Sequence, residues 1–254
     1  MYSADHFLRN LLIQILTRYL ATLSFSFILF SPTFAQENLK AIVNAVIIDG
    51  NGGPVVEDGT IVIRNDVIEA IGVQLDIPMG AEVIDAAGRA ALPGLADMHI
   101  HLSGNGYGFD LLGYQRRLNA FLYAGVTTIF ETGGILPFVQ QLRQAIEAEK
   151  IAGPYIYYAG PLIDSLDPQW PELSRSMASE AQALGIAQYL KANGASAIKA
   201  YAKLSRPQVA ALVVAGREVG LPVILDAWVR NGMEHGTLQY RGLTRLCTYP
   251  RQSD

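Results

Sequence analysis

The chain has one cysteine, Cys247, among 254 residues. That excludes an intrachain disulfide and any disulfide-built scaffold. With no histidine placed beside it by the sequence, Cys247 reads as a small buried apolar residue. Charge is also scarce. Only 17% of residues are charged, and 19 Lys and Arg face 23 Asp and Glu. The net charge of −4 offers no basic surface for nucleic acid, so no nucleic-acid partner is expected. The glycines at 104, 106 and 108 lack the G-x-G-x-x-G spacing of a phosphate-binding turn and read as a loop. What is abundant is apolar: half of the residues are hydrophobic, enough to bury a core in one large domain or two smaller ones.

The N-terminus has the order of a secretory signal. Arg9 and Arg18 precede an apolar run at residues 19–30, which is too short to span a bilayer as a helix. Pro32 ends it, and Thr33-Phe34-Ala35 offers a small-x-small cleavage site before Gln36. Removal of residues 1–35 and a periplasmic or secreted location are therefore expected. An uncleaved membrane anchor is the alternative.

The remainder divides by pattern. Residues 36–90 alternate short β-rich runs (41–48, 60–64, 67–72, 82–85) with turn clusters such as Asn65-Asp66, which predicts a small β-sandwich. From residue 91 the rhythm becomes strand then helix. Strands are predicted to end near His101 and to cover 125–131, 155–160, 197–201 and 222–226. Helices are predicted at 115–123, 138–150, 179–192 and 206–219. Such alternation argues for a parallel sheet or barrel. Between His99 and Lys199 lie three units in 199 − 99 = 100 residues, close to the roughly 30 residues per unit of a (β/α)8 barrel.

The chain has only four histidines, and two of them, His99 and His101, stand two residues apart after an apolar run. Side chains at i and i+2 of a strand share a face, so both imidazoles would enter one space and could ligate one metal ion. An isolated His-x-His also fits two surface or core histidines. Here Pro93-Gly94 punctuates the strand entry, and Asp97 stands ready to orient the pair.

Pro93-Gly94-x-x-Asp97-x-His99-x-His101 resembles the metal-binding signature of the amidohydrolase superfamily, in particular its imidazolonepropionase-like and prolidase-like secreted branch. The resemblance runs from about residue 40 to about residue 223. It implies an α/β fold: a (β/α)8 metal-dependent hydrolase barrel over residues 91–254, preceded by the β-sandwich segment. It also implies one or two divalent metal ions, most simply Zn2+, and a small-molecule substrate whose amide, lactam or dipeptide C–N bond is hydrolysed by a metal-activated water. Ser196-Ala197-Ile198-Lys199 is similar to the family's fourth-strand motif, whose lysine is a bridging carbamate. A plain lysine exposed at the strand end is the alternative for Lys199. Leu221-Pro222-Val223-Ile224-Leu225-Asp226 is similar to the fifth-strand motif, with Asp226 where the family has histidine. Aspartate can ligate zinc, so Asp226 is a candidate ligand. Thr248 stands in the place of the sixth-strand histidine, and His235 lies in a helix or loop between them. Glu131, closing the second strand, reads as a carboxylate at the barrel rim.

After Asp226 there are 254 − 226 = 28 residues, room for about one more βα unit. The resemblance therefore implies an incomplete barrel whose open edges could pair two copies, and no counterpart of the family's eighth-strand aspartate. Two readings stay open: a metal-dependent amidohydrolase, and a non-catalytic remnant that keeps part of the metal site.

Overall fold

The computed structural model describes residues 37–102 and 111–225. The chain divides at Pro93/Gly94 into two compact units. The N-terminal unit is one mixed sheet of β1 (Leu39–Ile47), β2 (Val56–Arg64), β3 (Val67–Val73), β4 (Glu82–Asp85) and β5 (Ala90–Ala91). Its order is β3-β2-β1-β4, with β5 also on β1. β1, β2 and β3 are antiparallel, whereas β4 and β5 run parallel to β1. Asn65 and Asp66 form the two-residue turn between β2 and β3, with φ of 48° and 67°. Both values suit a primed turn, which matches strand twist and accepts Asn and Asp. Among the described residues this is one sheet where the sequence predicts a sandwich. Its core is small: Ala45, Ile47 and Ile61, flanked by Ile42, Val56, Ile63, Ala86 and Ala91.

The C-terminal unit alternates strand and helix. β6 (Leu95–Ile100) leads through α1 (Leu111–Tyr123) to β7 (Val126–Glu131), and through α2 (Leu136–Glu147) to β8 (Tyr155–Tyr158) and β9 (Leu162–Asp164). The short β10 (Ser174–Ser176) follows, then α3 (Ala183–Ala192), β11 (Ile198–Ala200), α4 (Arg206–Val219) and β12 (Val223–Leu225). Every strand pair in this unit is parallel.

β6, β7 and β8 pair in that order, and β9, β11 and β12 pair in that order, with β10 on the outer side of β9. β8 and β9 are two halves of one path interrupted at Gly160-Pro161. Gly160 has φ of 77°, a backbone state that a strand of L-residues does not hold. Continuity is kept across the break: Ser196 N–H donates to the Tyr158 carbonyl (2.7 Å), and Tyr201 N–H to that of Ile163 (2.8 Å). Chain order is therefore spatial order across five parallel strands. A doubly wound sheet would reverse direction at a switch point, and this one does not.

The core of this unit is one large cluster in which Leu118, Ile129, Val139, Ile156, Leu190, Ile198 and Leu212 are solvent-free or nearly so. α4 spans the residues expected from the sequence. Ser205 caps it, with Gln208 N–H donating to the Ser205 hydroxyl (3.4 Å) and Ser205 N–H to the Gln208 side-chain oxygen (2.8 Å). Pro207 occupies the first turn, where a missing N–H costs nothing. Among the described residues no helix is long and apolar enough to cross a membrane.

Candidate functional site

Parallel strands in sequential order deliver their C-terminal ends to one side of the sheet, where such folds place their sites. The registers Ile100↔Glu131 and Glu131↔Tyr158 set one level on one side of the strand break, and Ile163↔Ala200↔Leu225 set another beyond it. His101 follows β6 directly, Glu131 ends β7, Asp164 ends β9, and Lys199 is the middle residue of β11.

The imidazoles of His99 and His101 do share a face. Their ring centroids lie 5.4 Å apart with planes inclined at 74°. Both residues are exposed, on a strand that pairs with β7. Asp97 accepts the backbone N–H of His99 (3.1 Å), so it fixes the main chain of the pair. The His101 Nδ1 lies 3.0 Å from the Gly133 carbonyl oxygen and 3.4 Å from Glu131 Oε1. Both neighbours can only accept, so Nδ1 carries the proton and Nε2 keeps its lone pair in the neutral ring. The Glu131 hydrogen bond raises the His101 pKa above its ordinary value. Burial opposes the rise, the Gly133 carbonyl and the Glu131 charge add to it, and the Lys199 charge opposes it. That last contribution brings Lys199 into the electrostatic surroundings of His101.

Glu131 corrects the sequence reading. It is a solvent-free side chain, where a rim carboxylate would be wet. Its Oε1 accepts Gly133 N–H (3.1 Å), and its Oε2 accepts Leu102 N–H. The run Glu131-Thr132-Gly133 was visible in the sequence. That Leu102 N–H would meet it across 29 positions was not. Gly133 has no room for a side chain, because a Cβ there would lie 2.3 Å from Leu162 Cδ2 and 3.4 Å from His101 Cε1.

Lys199 is buried, at 3% exposure, which sets aside its reading as an exposed lysine at the strand end. Asp164, not singled out from sequence, is also solvent-free. It accepts the N–H groups of Ser165 (2.9 Å), Gln169 (2.9 Å) and Lys203 (2.8 Å), which fastens two loops at the strand ends. Asp226, His235, Cys247 and Thr248 lie outside the described residues, as do the 104–108 glycines and residues 1–35.

The structure brings together His99, His101 and Glu131, with the Lys199 charge acting on His101. Among the described residues no three His, Cys, Asp or Glu side chains converge as a metal cage. The donor types still suit a divalent ion. Two imidazoles share one face, and one of them is held at Nδ1 with Nε2 left to ligate, the usual arrangement of a metal-binding histidine. A buried lysine on β11 completes the set if it is carbamylated.

Taken together, the fold is a βα-repeating domain with its polar groups at the carboxyl ends of sequentially ordered parallel strands. No family model matches the chain. It is 38% identical over 105 residues to imidazolonepropionase of Hyphomonas neptunium, a match covering 39% of this chain and 25% of that protein. It is 38% identical over 97 residues to allantoinase of Bacillus licheniformis, covering 37% of this chain and 20% of that one. Among solved structures, a provisionally assigned prolidase from Bifidobacterium longum superposes with a TM-score of 0.64 at 25% identity, over 74% of this chain and 49% of the other. Over the part that matches, the chain is similar to these hydrolases in sequence and to amidohydrolase structures in fold. It spans about a quarter or less of those two curated relatives and about half of the solved one.

Proposed function

We propose that this chain is, or is part of, a metal-dependent amidohydrolase that cleaves a C–N bond in a small amide, lactam or dipeptide. The observation that carries this reading is the His99–His101 pair on one face of β6 and the strand end after it, in a parallel sheet whose β11 carries the buried Lys199. In this reading the five strands β6, β7, β8/β9, β11 and β12 are the first five of a (β/α)8 metal-hydrolase barrel. Hydrolases of C–N bonds among the relatives support the reaction class.

His99 and His101 would hold the metal through ring nitrogens, Lys199 would bridge as a carbamate, and Asp226 is the further ligand offered by the sequence. A divalent ion there, zinc by its preference for imidazole and oxygen donors, supplies Lewis-acid chemistry for hydrolysis. The protein's own part is to fix the His101 ring through Gly133 and Glu131, and to keep Lys199 away from bulk water. The reading is tested with purified, Zn2+-loaded chain against dipeptides, lactams and esters. Turnover above the metal-salt blank that Lys199→Ala abolishes supports it. Metal bound in about stoichiometric amount without turnover assigns the alternative, a non-catalytic remnant of the site.

Two further proposals rest on the same chain. Export to the periplasm or beyond follows from the signal-like residues 1–35, and N-terminal sequencing of the exported protein should begin at Gln36. Self-association through β6 follows from its exposed Leu95 and Met98, 61% and 60% accessible. Sedimentation should then show dimers that Met98→Lys weakens.

A further inference from the structure

Buried carboxylates are costly unless their oxygens are fully engaged, so a solvent-free glutamate beside a histidine calls for an account. Glu131 is engaged on three sides, and each partner belongs to a different part of the site. Oε2 takes Leu102 N–H, immediately after His101. Oε1 takes Gly133 N–H at 3.1 Å and lies 3.4 Å from His101 Nδ1. The carboxylate therefore ties the end of β6 to the turn after β7. The Gly133 carbonyl, in a peptide group held by Gly134 N–H to the Gly160 carbonyl (2.9 Å), adds a second acceptor 3.0 Å from the same Nδ1.

We infer that Glu131 is the positioning residue of the His-x-His pair: its buried carboxylate fixes His101 as the Nδ1–H tautomer and so presents Nε2 as the ligating atom. The inference rests on the reading of His101 as a ligand, and it reaches a residue that touches neither metal nor substrate. A neutral isostere cannot replace it. The two Glu131 oxygens meet two backbone donors, whereas glutamine has one acceptor oxygen and would turn an N–H2 against a donor. The Gly133 carbonyl stays tied through Gly134 N–H to Gly160 (2.9 Å), but the acceptor that Glu131 sets beside Nδ1 is lost. A glutamine N–H2 turned toward Nδ1 then competes with the Gly133 carbonyl there, and the ring can carry its proton on either nitrogen. The role is also distinct from that of Asp97, which accepts the main-chain N–H of His99.

The test uses the full chain, with 15N-labelled histidine and no metal, at alkaline pH. Ring nitrogen shifts report the tautomer of each histidine directly, and the His101 signals are assigned by their disappearance in His101→Gln. The parent is expected to show His101 protonated at Nδ1, and Glu131→Gln to show a mixture of tautomers. Zn2+ affinity, measured by calorimetry, is expected to fall about 10- to 100-fold in Glu131→Gln. Ile156→Ala, a core truncation in the adjoining strand, should lower stability and leave the His101 tautomer as in the parent. A parent with His101 protonated at Nε2 overturns the inference without any variant, so a Glu131→Gln chain that fails to fold does not shelter it. An unchanged tautomer in Glu131→Gln overturns it equally. A tautomer that shifts as expected in a chain that binds no Zn2+ upholds the positioning role and removes the metalloenzyme reading instead.

Discussion

Among the described residues, the five-stranded N-terminal sheet and the parallel strands of the C-terminal unit are stabilised in different ways. In the N-terminal unit the buried cluster comes down to Ala45, Ile47 and Ile61, while Val67, Ile68, Val73 and Val83 remain exposed. What organises that sheet is local: the Asn65-Asp66 turn, and the Asp85 carboxylate accepting Ala87 N–H (2.8 Å) and an Asn44 side-chain N–H (3.0 Å). The C-terminal sheet instead sits in one large apolar cluster, and its buried polar groups Glu131, Asp164 and Lys199 lie at or near strand ends. The lesson is that buried polar chemistry goes with the deep core. A sheet whose buried cluster is that small has too little low-dielectric surrounding to hold a lysine or glutamate to one geometry.

This contrast orders the expected effects of substitution. The largest falls on the deep core. Ile198→Ala, at a fully buried residue of β11, is expected to cost about 2–4 kcal/mol in urea denaturation. Gly133→Ala should follow at about 1–3 kcal/mol, because the added methyl overlaps Leu162 and the neighbours must move. It should also lower Zn2+ retention by displacing the Gly133 carbonyl from His101. Ile61→Ala in the N-terminal sheet is expected to cost less than Ile198→Ala, about 1–2 kcal/mol, since few neighbours lose contact. Equal losses at Ile61 and Ile198 would break the comparison. Val67→Ala, 65% exposed on β3, should change stability by under about 0.5 kcal/mol.

The smallest effect is electrostatic. The Asp85 pKa is held below the ordinary carboxylate value, first by Ala87 N–H, then by Asn44, with the Arg89 charge adding; burial opposes them weakly. A lowered folded-state value means the contribution is present above the unfolded value, near about 3.9, and is lost as pH falls through the folded one. Denaturation curves of the parent should therefore lose a little more stability in acid than those of Asp85→Asn. Parallel pH profiles for the two would remove Asp85 from the account of this sheet.

Much of the C-terminal sheet could be read from the residues, for stated reasons. Apolar runs bounded by Gly and Pro located its strands, and the helix expected at 206–219 is α4 (Arg206–Val219). His99, His101 and Lys199 stood out because strand alternation and unit spacing fix where such residues can point. The rest depended on long-range meetings that local pattern does not encode. Glu131 looked like a rim residue because Leu102 N–H, its distant partner, lies in another unit of the alternation. Asp164 went unnoticed because its donors come from Ser165, Gln169 and Lys203, on two separate loops. The split of the third strand at Gly160 was hidden because residues 155–160 read as one continuous run.

The agreement of chain order with spatial order has a consequence for biogenesis. As the polypeptide leaves the ribosome, each new strand emerges beside the edge that the previous βα unit has just laid down. In the C-terminal unit, unlike the N-terminal one where β1 pairs with the later β4 and β5, none of the five strands has to wait for a partner encoded far downstream. Assembly can then proceed vectorially, one supersecondary unit at a time, with each loop closure spanning a single unit. Stalled nascent chains ending after β7, β9 and β12 are expected to gain protease protection in steps rather than all at once.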